Sequence, residues 1–98
     1  MNADQYNHAK ANFENVFAKY EIYLSEESRM HVVSLLEAAE VEMAYESFVL
    51  SAIDEKINVS EYDRIELKRI GLLVNANVET VFKDDFWNFV GSWWGFKI

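Results

Sequence analysis

The sequence predicts an all-α fold, a compact bundle of four to five helices with an aromatic C-terminal tail. Three observations point that way. Proline is absent and Gly71, Gly91 and Gly95 are the whole glycine supply, too few turn formers for a many-stranded β protein. Apolar residues recur at intervals of three and four along most of the chain, the repeat that gathers them on one helix face. Ser25 and Ser60 each stand just ahead of an acidic stretch, as capping hydroxyls do at helix starts. The 98 residues, 51% hydrophobic and 27% charged, are enough for one modest core, so residues 1–98 are expected to form a single domain.

The first helix is expected from Asp4 to Ile22, with Tyr6, Ala9, Phe13, Val16, Phe17 and Tyr20 on one face. Ser25, followed by Glu26 and Glu27, opens the second, whose stripe uses Met30, Val33, Leu36 and Val32. The small and acidic residues from Glu37 to Glu42 then interrupt the bulky stripe, which places a break near Glu40. One helix of about 30 residues is the alternative on propensity. Two are preferred, because one long helix cannot fold back in so small a core.

A third stripe runs through Val41, Ala44, Tyr45, Phe48, Ala52 and Ile53, ending near Lys56. Ser60 with Asp63 three residues on resembles a capping box. It opens a fourth helix with Tyr62, Ile65, Leu67, Ile70, Leu72 and Leu73 as its apolar set, and Asn75 suits a left-handed C-terminal position. A last helix is expected to start at Asn77 or Asp84, carry Val78, Val81, Phe82, Phe86 and Phe89, and close at Gly91. The tail from Ser92 to Ile98 has no evident helical period. Its cluster of Phe86, Trp87, Phe89, Trp93, Trp94 and Phe96 is denser than one short helix buries, so the tail either covers the core or meets a partner.

Catalytic and cofactor signatures are missing. No cysteine is present, which removes disulfides and thiolate chemistry. His8 and His31 each follow an acid by four residues, Asp4 and Glu27, a spacing read as a surface pair on a helix face. A calcium loop from Asp54 fails, because Lys56 takes the third position and Val59 the sixth, where glycine is required. The glycines are too few for a phosphate cradle. Ser34-Leu35 follows Val33 and so lacks the aspartate of an acyl-carrier attachment site. No enzyme, metal or cofactor is expected. Met1 to Tyr20 holds Asp4, Lys10, Glu14 and Lys19, unlike a signal peptide, and no apolar run approaches the roughly 20 residues of a membrane span. A cytoplasmic location is expected.

Nine Lys and Arg stand against 17 Asp and Glu, for a net charge of -8. Direct nucleic-acid binding, which draws on clustered cations, is therefore disfavoured. The excess is local: residues 25–57 hold eight acids and two bases. Glu42, Glu46 and Asp54 fall at spacings of four and eight, opposite the apolar stripe, and are expected to share a solvent face. Such a face either merely solubilises the protein or docks a basic surface.

From Val32 to Asn75 the chain resembles the MafI-type immunity proteins and related contact-dependent inhibition immunity proteins of bacterial toxin systems. The matching positions are Leu36, Glu40, Ala44, Glu46, Phe48, Ile57, Val59, Ser60, Glu61, Tyr62, Ile70 and Gly71. Ala39 stands where the family usually has glycine or another small residue before the acid. The resemblance covers a little under half of the chain. It implies an antitoxin that binds the nuclease domain of a cognate toxin, an RNase such as an EndoU-like one, and occludes its basic cleft. The residues expected to meet the partner are Glu37, Glu40, Glu42, Glu46 and Asp54, with Trp93 and Trp94 as apolar anchors. An acidic helical adaptor unrelated to toxins is the alternative.

Overall fold

A computed structural model describes residues 3–74 and 86–95, all of whose regular structure is helical. The elements are α1 (Ala3–Tyr20), a 3-10 turn (Glu21–Tyr23), α2 (Glu26–Glu37), α3 (Val41–Asp54), α4 (Glu61–Leu73) and α5 (Phe86–Trp94). The expected capping holds at both serines. Ser25 Oγ accepts from the Ser28 amide at 3.2 Å and Ser60 Oγ from the Asp63 amide at 3.2 Å, each satisfying a helix N–H that has no intrahelical partner.

The break between α2 and α3 is real, and its geometry explains how it forms without glycine. The Glu40 amide donates to Leu35 O and the Ala39 amide to Leu36 O, the bond pair that closes a helix through a left-handed residue. Ala39 takes that position at φ 60°. The same pair recurs after α3, where Ile57 bonds to Ala52 O, Lys56 to Ile53 O, and Lys56 sits at φ 57°. The Tyr6 hydroxyl donates to Ala39 O at 3.0 Å, holding the first turn against α1.

α2 and α3 form an antiparallel hairpin, and α3 also packs against α1 and α5. Nine of the fourteen residues of α3 are buried, as befits a helix covered on several sides. An aromatic chain threads this core. Phe13 and Phe17 of α1 meet Phe48 edge-on at 5.8 and 5.7 Å, Phe13 meets Tyr45 at 6.0 Å, and Tyr45 meets Phe86 at 6.0 Å and Trp87 at 6.4 Å. Such pairs contribute roughly 0.5–1.5 kcal/mol each beyond area burial.

Three helices depart from expectation. In α2 only Val32 is fully covered, while Met30 is exposed. In α4 the buried side is Asp63, Leu67, Ile70 and Gly71, continued by Val74, a clean helical repeat. Tyr62 (73% exposed), Ile65 (52%) and Leu72 lie on the open side. In α5 the helix runs through Gly91, Ser92 and Trp93 to Trp94 and ends at Gly95, which has φ 79°. Gly91 is therefore no terminus, and residues 92–94 are helical. Asn75, Asn77 and Asp84, offered above as helix boundaries, lie outside the described residues.

Candidate partner-binding surface

The acids of the α2–α3 hairpin do not form one face. Glu37 closes α2, Glu40 caps α3 and Glu42 lies in the first turn of α3, so these three gather at one end; Glu37 and Glu40 are exposed and Glu42 is half-buried. Asp54 is exposed at the far end of α3, about 20 Å away at 1.5 Å per residue. Glu46 is fully buried, which corrects its assignment to a solvent face with Glu42 and Asp54. The side of α3 opposite its apolar stripe is itself covered by neighbouring helices, so Glu46 presents no charge to a partner.

Glu55, another acid of the excess, is occupied by structure. Its Oε1 accepts from the Ser25 amide at 2.7 Å, and its Oε2 accepts from Ser25 Oγ at 3.1 Å and Ser28 Oγ at 2.5 Å. The carboxylate thus sits at the positive end of α2 from across the hairpin. The Ser28 hydroxyl, together with the Ser25 backbone and hydroxyl, holds this carboxyl below its ordinary value against a smaller opposing effect of burial. Exposed carboxylates remain on Glu26, Glu27, Glu37, Glu40 and Asp54, and none of them enters an ion pair among the described residues.

Asp63, a core-facing acid that periodicity did not single out, clamps α4 to α1. It is 4% exposed. The Tyr20 hydroxyl donates to its Oδ2 at 2.5 Å, Lys19 Nζ to its Oδ1 at 3.0 Å, and Ser60 Oγ to Oδ2 at 3.1 Å. The Ser60 amide in turn donates to the Tyr20 hydroxyl at 3.1 Å. Burial pushes the Asp63 carboxyl up, but the hydrogen bonds from Tyr20, Lys19 and Ser60 outweigh it and leave the group below the usual range. The Lys19 ammonium is raised by its hydrogen bond and charge pairing with Asp63. This constellation is a fully bonded structural clamp, with no spare nucleophile or base.

The other sequence candidates are dispersed. His31 Nδ1 is hydrogen-bonded with Ser47 Oγ at 2.9 Å, which ties α2 to α3. Among the described residues no three His, Asp or Glu side chains are grouped to hold a metal ion, and no helix is long and apolar enough to cross a membrane. In the tail Phe86 and Trp87 fold into the core, whereas Trp93 is 57% exposed and Trp94 half-buried. Arg64 Nη1 donates to Trp94 O at 3.2 Å. Trp94 and Trp93 face the α3–α4 linker, far from the acids of the α2–α3 turn.

Sequence reasoning missed two surface features. One is the apolar open side of α4, hidden because apolar residues ring that helix. The other is a groove along the α3–α4 linker, whose cations come from elements distant in sequence. Comparison with known protein families, with curated proteins and with solved structures finds no match.

Proposed function

We propose that this chain is a non-enzymatic immunity protein of the MafI-type or contact-dependent inhibition class, acting in the cytoplasm on the basic nuclease domain of a cognate toxin. One observation carries the reading. Glu37 and Glu40 are exposed at the α2–α3 turn with no ion pair among the described residues, and Glu42 adjoins them. The exposed carboxylates of Glu37 and Glu40 on this hairpin attract a cationic cleft and can replace the phosphates of an RNA substrate there. The helices fix the backbone from which these side chains project, so little backbone ordering is needed on docking.

The test is protection. Cells producing a candidate toxin domain encoded next to this chain's gene should survive only when this chain is co-produced, and the purified pair should form a stable complex without nuclease activity. A complex that retains full nuclease activity would remove the inhibitor reading. The alternative, a helical adaptor unrelated to toxins, draws on a different observation. Tyr62, Ile65 and Leu72 leave apolar side chains around Arg69 on the open side of α4, and exposed apolar groups of this kind mark protein contacts. It gains if binding to a partner depends on Ile65 and not on Glu37 and Glu40.

A further inference from the structure

The α3–α4 linker lies between two cavities of about 300 and 590 Å³ that share Lys56, Ile57 and Asn58. Their chemistry runs against the composition of the whole chain. Of the nine Lys and Arg in a protein of net charge -8, Lys56 and Arg64 line the smaller cavity and Lys19 and Lys56 the larger. Lys19 is committed to Asp63 at 3.0 Å. Glu55 also lines the larger cavity and keeps its negative charge there, since its partners at Ser25 and Ser28 are neutral groups, so the cationic character lies in the smaller cavity. The remaining attraction to an anion therefore rests on Lys56 and Arg64.

Arg64 is held in place and incompletely used. Its Nη1 is bonded to Trp94 O, while its Nε is buried with no hydrogen-bond acceptor. Lys56 carries a side chain at φ 57°, a left-handed position that glycine fills at lower cost. Trp93 and Trp94 wall the smaller cavity over an apolar floor that includes Ile53 and Val59. Aromatic and apolar lining residues together with a guanidinium and an ammonium group suit a carboxylate next to an apolar side chain.

We infer that the smaller cavity binds an acidic peptide segment bearing an aromatic or branched side chain, the apolar group against Trp93 and Trp94 and the carboxylates at Arg64 and Lys56. The smaller cavity, of about 300 Å³, offers room for one side chain and an adjoining carboxylate. This inference does not rest on the immunity reading, since the groove lies at the opposite end of α3 from Glu40 and Glu42.

The test titrates the full chain, labelled with nitrogen-15, with the peptide acetyl-Asp-Phe-Asp-Asp-amide. Its all-Asn counterpart, inorganic phosphate and acetate serve as separate arms. Saturable shifts of the Trp93 and Trp94 indole N–H signals are expected with the acidic peptide alone. Lys56→Gly should weaken binding roughly tenfold through loss of a charge-assisted contact while raising the melting temperature, so that lost affinity cannot be ascribed to lost fold. Arg64→Gln should weaken it at least as much. Absence of saturable shifts, equal shifts with phosphate or acetate, equal binding of the all-Asn peptide, or unchanged affinity in Lys56→Gly would each overturn the proposal.

Discussion

The Tyr20 hydroxyl lies 2.5 Å from Asp63 Oδ2, joining the end of α1 to the start of α4 across 43 residues of chain. Asp63 and Glu55 both have folded values below the ordinary carboxylate range. Their contribution is complete above the ordinary carboxylate range and is lost as pH falls through those lower values. Lys19 is raised, so its share is lost only in the alkaline limb as pH rises through its folded value. Tyr20→Phe should cost about 1.5–3 kcal/mol at neutral pH and move the acid-unfolding midpoint upward. Denaturant unfolding across the acid range checks both.

Gly71 is required by a close approach. A β-carbon there would stand 2.5 Å from the Tyr45 hydroxyl oxygen and 2.7 Å from the Trp87 ring, because Tyr45 reaches past it to donate to Leu67 O at 2.6 Å. Gly71→Ala should destabilise by about 1–3 kcal/mol through overpacking. Combined with Tyr45→Phe, the loss should be less than additive, because one of the two clashes is removed; a double-mutant cycle in urea measures the coupling.

Ala39 holds a left-handed backbone at φ 60° between α2 and α3. Ala39→Gly should stabilise the fold by about 0.5–1 kcal/mol by relieving the β-carbon contact. Thermal unfolding at neutral pH reads the gain, and a lower melting temperature would contradict this geometry for the turn.

The rotation of α4 has its own test. Leu67→Ala, on the buried side, should cost about 2–5 kcal/mol, whereas Ile65→Ala, half exposed, should change stability by about 0.5 kcal/mol or less. Reversed magnitudes would mean that α4 turns its other side inward.

Several of these features were legible in the residues alone, and the others fail for identifiable reasons. The caps at Ser25 and Ser60, the α1 stripe and the α2–α3 break follow from local chemistry that neighbours do not override. In α4, Tyr62, Ile65, Leu67, Ile70, Leu72 and Leu73 surround the helix, so their spacing has no single phase; the clamp on Asp63 and the notch at Gly71 select the buried side. Glu46 was misplaced because an amphipathic pattern presumes one covered face, and α3 is covered on several. Gly91 carries the usual penalty inside a helix, yet packing of Phe86, Trp87 and Val90 sustains α5 through it. The smaller linker cavity brings Lys56 and Arg64 against Trp93 and Trp94 of α5, a juxtaposition with no spacing signal.

The most direct measurement is the rate at which this chain associates with the basic nuclease domain, by stopped-flow fluorescence at low and high salt, for the parent and for Glu37→Lys with Glu40→Lys. Both positions are exposed, so the helical spectrum should be unchanged. Association of the double variant should be roughly tenfold or more slower at low salt, with the two proteins converging at high salt. Equal rates at low salt would contradict docking through the α2–α3 turn.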